Sequence, residues 1–222
     1  ATPARPVVTA DEADAIERRI GALEARTGIE VVAAVERRSD IYPEVPWRAF
    51  ALGAALAALA VLGALVLRAD WDAPRTWLVQ AVAILGAGAI AALSSAFVPG
   101  FGRLFIRRDR MEEEVRQRAQ VVFLGRELFA TPDRDAILVL VSLFERHVVV
   151  VPDVGWYGWV ADQEWRAVVA RMTPLLAQRR VVEAFDAGCG AIEELLAGRG
   201  HAGGPARGLL SDALVQGEGP RE

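Results

Sequence analysis

The sequence predicts an α/β fold, a small mixed sheet flanked by helices, interrupted by a two-helix transmembrane hairpin. Three observations predict it. Two long uncharged runs, Ala49–Leu67 and Trp77–Val98, lie close together. Short apolar runs of strand length stand on either side of that pair. Segments with helical spacing of apolar residues precede and follow those strands, the pattern of an α/β domain.

Composition narrows the function classes. Of the 222 residues, 53 % are hydrophobic and 24 % charged. The apolar share exceeds the roughly 45–50 % of soluble domains while the charged share is ordinary, which describes a mosaic of membrane segment and globular domain. Cys189 is the only cysteine, so a disulfide framework and a Cys-based zinc site are excluded. His147 and His201 are too far apart in sequence for a helical metal pair. The net charge of −4 gives no footprint for nucleic acid. Every basic side chain is arginine, which removes Schiff-base chemistry and a P-loop lysine.

Taken in order, the chain opens with a capping box, Thr9 followed by Glu12. Ala13, Ile16, Ile20 and Leu23 then recur at helical spacing, and Gly28 suits the helix stop. Ile29–Val35 reads as a strand. Each uncharged run is long enough for the ~20 residues that cross a bilayer. The connection from Arg68 to Arg75 is short, polar and proline-bearing, as a tight hairpin needs. Trp47 and Phe50 at one end, and Trp71 and Trp77 at the other, fit an interfacial aromatic belt. Arg37, Arg38, Arg48, Arg103, Arg107, Arg108 and Arg110 flank the outer ends, against Arg68 and Arg75 in the connection. The bias predicts both termini in the cytoplasm and a two-span protein of the inner membrane. No signal-peptide pattern opens the sequence, and one unpaired cysteine suits a reducing compartment.

Small residues crowd the spans, among them Gly53 and Gly63 in the first and Gly86 and Gly88 in the second. They let the two helices pack on each other, or dock a partner membrane protein. The absence of charge inside either span argues against a transporter or channel.

After the spans, a helix is expected over about Arg110–Phe129, with Met111, Val115, Ala119, Val122 and Leu128 as its apolar stripe. Thr131–Asp135 is a turn. Ala136–Leu143 is a strand buried on both faces, and His147–Pro152 pairs with it as a hairpin. Asp162 opens a helix carrying Trp165, Val168 and Met172, and Arg179–Ala197 supplies another. The sequence thus divides into residues 1–47, the first part of the α/β domain, a hairpin at 48–100, the rest of the domain at 101–198, and a Gly-, Pro- and Arg-rich tail at 199–222, expected to be disordered.

This order resembles the TPM family, named after thylakoid-lumen, photosystem-repair and membrane proteins. The resemblance rests on Leu23–Val32, on the strand pair Ile137–Val150, on the helix ending at Leu128 and Phe129, and on the terminal pattern of Gln178, Phe185, Ala187 and Gly188 with the closing helix. It covers most of residues 8–198 outside the hairpin, and it looks like the bacterial subtype with a membrane insertion after the first strand. Family resemblance implies two kinds of activity. Some members are acid phosphatases or bind Ca²⁺ and similar ions; others serve the repair or assembly of photosynthetic membrane complexes. The acidic turn of the former corresponds here to Asp133-Arg134-Asp135-Ala136, with Arg134 on or beside the acidic position and Ala136 replacing a glycine. The acidic residue after the hairpin corresponds to Asp153.

A divalent-ion site would draw on Asp133, Asp135 and Asp153, since Ca²⁺ takes 6–8 oxygens and Arg134 would oppose it. His147 in an apolar strand reads as structural, Ser142 has no G-x-S-x-G elbow, and Cys189 reads as a small buried hydrophobe. Trp156, Tyr157 and Trp159 form a dense aromatic loop. That loop is expected to contact a partner or lipid headgroups, or else to cover the sheet edge. The functional expectation is a non-catalytic, membrane-anchored TPM-like protein without cofactor. It would bind, stabilise or help assemble a larger membrane complex, photosynthetic or respiratory, with complex subunits and the bilayer as partners. The alternative is a metal-dependent acid phosphatase or divalent-ion-binding domain.

Overall fold

A computed structural model describes residues 7–68, 74–201, 208–211 and 213–219. The chain divides into two compact units, Ala1–Ile41 with Met111–Glu222, and Tyr42–Arg110. The second unit is wider than the hairpin expected at 48–100, because its first helix starts at Glu44 and a short helix follows its second.

The first unit opens with α1 (Ala10–Thr27). Thr9 Oγ1 accepts from Glu12 N at 3.3 Å, while Glu12 Oε2 accepts from Thr9 N at 2.8 Å. The two bonds satisfy N-terminal amides that the helix leaves unpaired. Gly28, at φ 70°, turns the chain into β1 (Val31–Glu36). Next come α5 (Arg108–Gly125), which begins within the second unit, then β2 (Ile137–Ser142), β3 (His147–Pro152), α6 (Asp162–Ala177) and α7 (Val181–Gly198). The helix expected to run to Phe129 stops at Gly125. Glu127 takes a left-handed conformation, and a 3-10 turn at Leu128–Ala130 buries Leu128.

Among the described residues the strands, with β4 at Val215–Gly217, form one sheet of order β3-β2-β1-β4. β1 and β2 are parallel, Val31 opposite Ile137 through Glu36 opposite Ser142. β2 and β3 are antiparallel, Ser142 opposite His147. A parallel pair needs a long crossover. Here the crossover contains the whole hairpin and α5. Alternation sends Val31, Ala33, Val35, Ile137, Val139 and Val141 into a core with α1, α6 and α7. Val32, Ala34, Leu138 and Leu140 enter a second core with Val115, Ala119 and Val122 of α5. Both central strands are therefore buried throughout, as their unbroken apolar runs require.

The tail expectation needs correction. Val215–Gly217 forms β4, parallel to β1, with Ala34 opposite Val215 and Glu36 opposite Gly217. Leu214 is buried, and Leu210 and Val215 pack on the α5-side core. Distant side chains hold the segment. Glu30 accepts from Leu209 N at 3.1 Å and Leu210 N at 3.0 Å, Glu17 from Leu214 N at 2.8 Å, and Gln216 Oε1 from Val7 N at 2.8 Å. Three residues ending in a glycine carry no strand period, so composition alone reads as a disordered tail.

The second unit holds α2 (Glu44–Arg68) and α3 (Pro74–Phe97), followed by α4 (Pro99–Gly102). At 1.5 Å per residue each long helix exceeds the ~30 Å hydrocarbon core. Both are apolar enough to cross a membrane. They pack on each other through small residues. A Cβ on Gly53 would lie 2.7 Å from Ala91 Cβ and 2.8 Å from the Ala87 carbonyl oxygen. Leu56, Leu59, Leu62, Val82, Leu85, Ile90 and Leu93 stay exposed around the pair. Trp47 and Trp77 are exposed, while Trp71 lies outside the described residues.

Candidate functional site

The carboxylates singled out by sequence lie where the 131–136 turn meets the end of β3. Asp153 N donates to the Ala136 carbonyl at 2.9 Å, which fixes Asp153 beside the turn. Arg134, at φ 54°, points its guanidinium back onto that carboxylate. Nε donates to Oδ2 at 2.7 Å and Nη2 to Oδ1 at 2.9 Å, a bidentate pair. Val154 N adds a third bond to Oδ1 at 2.7 Å. Asp153 is 3 % exposed. The hydrogen bonds to Asp153 raise the Arg134 pKa further.

The two loops are laced together. Gly155 N donates to the Arg134 carbonyl at 2.9 Å, and a Cβ on Gly155 would sit 2.5 Å from that oxygen, so only glycine fits. Trp156 Nε1 donates to the Asp135 carbonyl at 2.8 Å. These contacts bear on the fit of a divalent cation here. Both oxygens of Asp153 are taken by a permanent cation, and a Ca²⁺-like ion needs those lone pairs. Asp133, Asp135 and Asp153 do not make a cation cradle. Among the described residues no three His, Cys, Asp or Glu side chains converge as a ligand group.

The aromatic loop divides. Trp156 is only 4 % exposed, its ring 5.4 Å from Trp159, 6.1 Å from Trp165 and 6.0 Å from His201. Trp159 also meets His201, at 5.6 Å. His201 Nε2 lies 2.9 Å from the Thr27 carbonyl oxygen, so this histidine belongs to the packed domain and not to a loose tail. Tyr157, 72 % exposed, is the member that faces outward, beside exposed Val154. The two hairpin glycines also divide. Gly88 is filled by the Phe50 ring, while a Cβ on Gly86 would meet nothing within 4 Å among the described residues.

A second polar group went unnoticed in the sequence. Its residues line the other end of the sheet. Register puts His147, Ser142, Glu36 and Gly217 in one row across β3, β2, β1 and β4. Glu36 is 1 % exposed. Its Oε1 accepts from Arg118 Nε at 3.1 Å and Nη2 at 2.8 Å. Oε2 has no hydrogen-bond partner among the described residues, and β4 crosses above the carboxylate at Gly217, where a Cβ would clash. Ser142 Oγ makes a very short hydrogen bond to Glu145 Oε2, and Glu145 Oε1 accepts from Ser39 N at 3.0 Å. Burial lowers the His147 pKa, favouring neutral imidazole. Ser142 is bound to a carboxylate and fully enclosed, which is a structural arrangement and not that of an activated nucleophile. The available signal was a polar residue at the end of each apolar strand, Glu36 and Ser142.

Cys189 is buried on α7, and burial pushes its thiol up to about 12. Burial and the raised pKa both disfavour the thiolate, the nucleophilic form, at neutral pH. Arg19 on α1 clamps this helix through Asp186 at 2.7 Å and Glu193 at 2.9 Å.

No family model and no curated protein matches the chain. Among solved structures, the BA42 protein from the psychrophilic bacterium Bizionia argentinensis, determined by NMR, is similar over 95 % of this chain and 95 % of its own, with a TM-score of 0.54 and 16 % identity. At that identity the likeness is one of fold.

Proposed function

We propose that this chain is a membrane-anchored, non-catalytic TPM-like protein that binds, stabilises or helps assemble a larger membrane protein complex. The observation that carries the reading is the exposed apolar hairpin, inserted between two neighbouring parallel strands. The folded sheet therefore ties down both ends of the hairpin, an anchor joined to its domain at two points. The anchor sits in a bacterial inner membrane with both termini cytoplasmic, following the arginine bias.

Three features support an accessory-subunit role over a catalytic one. The Arg134–Asp153 pair occupies the carboxylate that a metal-dependent phosphatase would need. Gly63 and Gly86 have open space where a partner helix can approach closely. Tyr157 supplies an exposed aromatic anchor on the domain. A photosynthetic or respiratory complex is the class of partner that the family resemblance suggests.

The test is mild-detergent extraction of native membranes, native gel separation and mass spectrometry of the band that holds the chain. Co-migration with a defined, wash-stable complex is expected. Migration as a free monomer or small homo-oligomer overturns the proposal. So does divalent-ion-dependent phosphatase activity in the purified protein that Asp153→Ala abolishes.

A further inference from the structure

The second unit gathers cations from two sequence-distant segments at one end of the hairpin. Arg48, in the opening turns of α2, donates from Nη1 to the carbonyl oxygen of Phe105 at 2.8 Å. That contact spends one N–H on a neutral acceptor and leaves the guanidinium its full charge. It also brings Arg48 to the segment that carries Arg107 and Arg108, both exposed. Arg107 meets Asp109 at 2.9 Å, but both side chains are more than four-fifths exposed, a pairing of little worth. Arg110 is held differently, paired with Glu44 and with its guanidinium 5.8 Å from the Tyr42 ring centroid.

Apolar groups accompany these charges. The chain turns sharply after α3, where Gly102 N donates to the Val98 carbonyl at 3.0 Å. A Cβ on Gly102 would lie 2.7 Å from the Ser95 carbonyl oxygen, so the turn hugs the helix end. Phe101 and Phe105 stack edge to face at 5.2 Å, and Leu104, 77 % exposed, projects from the turn with Phe97 and Trp47 also exposed. Exposed apolar side chains and arginines thus share this end of the hairpin. Within Tyr42–Arg110 this end carries five arginines against two carboxylates, whereas the 68–75 connection carries two of each.

We propose that this end of the hairpin binds anionic phospholipid headgroups, with Arg48, Arg107 and Arg108 contacting the phosphodiester and Leu104 entering the acyl boundary. Charge complementarity selects the occupant. Juxtamembrane arginines attract acidic lipids, and a guanidinium matches phosphate oxygens in a bidentate fork. The inference rests on the reading that α2 and α3 span a bilayer, and the experiment separates the two.

The full-length protein is reconstituted into nanodiscs of equal parts phosphatidylcholine and phosphatidylglycerol. Insertion is scored by co-elution with the disc. Lipids retained after detergent transfer are then counted by native mass spectrometry. Retained phosphatidylglycerol is expected to be enriched several-fold over the bulk ratio, and raising salt from 0.05 to 0.5 M should collapse the enrichment. The triple variant Arg48→Gln, Arg107→Gln, Arg108→Gln should return it to bulk, with a loss of up to about five-fold for each arginine seated at the surface. A control of equal charge loss on the domain, Arg26→Gln, Arg166→Gln, Arg171→Gln, should keep it. Insertion with a bulk lipid ratio in the parent, or with salt-insensitive enrichment, overturns the headgroup proposal and leaves the spans intact. Failure to insert into the mixed disc overturns the spanning reading and the headgroup proposal with it.

Discussion

Removing the Glu30 carboxylate should release the C-terminal segment from the sheet. Glu30 is 1 % exposed at the entry to β1, and its two oxygens each accept one backbone N–H, from Leu209 at 3.1 Å and Leu210 at 3.0 Å. A hydrogen bond to a charged group contributes roughly 1.5–3 kcal/mol. Leu209 is exposed, so water can replace part of what is lost, and the lower figure applies to each bond. Glu30→Ala therefore costs the segment about 3 kcal/mol of local stability, close to a hundred-fold in its opening equilibrium. Glu30→Gln keeps one acceptor and loses the charge, and about ten-fold is expected. Hydrogen exchange read by mass spectrometry on peptides covering 208–219 and 181–198 measures both. The first peptide should speed up by those factors while the α7 peptide stays slow. Unchanged exchange in 208–219, or equal acceleration in α7, refutes the view that Glu30 is a local clamp. Greater stability would show instead that desolvating the carboxylate outweighs its two bonds.

Burial is the largest influence on His147, lowering its pKa below 6.5, opposed by Glu112 and Glu145 and assisted by Arg116. The unfolded chain then takes the proton first, so this contribution to stability is full above pH 6.5 and falls as pH drops from 6.5 through the lowered folded value. Urea midpoints at pH 7.5 and 5.5 should differ more for the parent than for His147→Gln. In the hairpin, Gly53→Leu should destabilise helix packing by about 1–3 kcal/mol, because the first added carbon already meets the α3 backbone. Gly63→Leu should be silent, since a Cβ there meets nothing within 4 Å among the described residues; protease resistance of the detergent-solubilised hairpin distinguishes the pair. Cys189, with its thiol pushed up to about 12, should resist maleimide at pH 7.5 until denaturant opens the domain. Rapid labelling of the folded protein would contradict its burial.

Local chemistry was legible and distant chemistry was not. The Thr9–Glu12 capping box, the left-handed stop at Gly28 and the two fully buried strands follow from spacing over a few residues, and each stands where the sequence puts it. The hairpin helices were legible because a long uncharged run has few alternatives. β4 was not, because three residues acquire a strand's identity only from the distant β1 edge, with Glu30 tethering the chain before them at Leu209 and Leu210. At the candidate site, the sequence located Asp153 and anticipated that Arg134 would oppose a cation, but not the bidentate geometry. Trp156, read either as a partner or lipid contact or as a cover of the sheet edge, is a core residue whose indole N–H donates to the Asp135 carbonyl. The Glu36, Ser142 and His147 row depends on register across three strands, and register is fixed by packing that no local window contains.

The central claim is that Tyr42–Arg110 is a two-span membrane anchor carrying the rest of the chain on one side. One added cysteine at Ala69, in the connection between the helices, or at Gln120, exposed on α5, tests it directly beside the buried Cys189, with the parent chain as the labelling control. A membrane-impermeant maleimide applied to intact cells should label Ala69→Cys and leave Gln120→Cys unlabelled until the cells are lysed. Equal labelling of both positions before lysis, or recovery of the protein in the soluble fraction, would contradict the account.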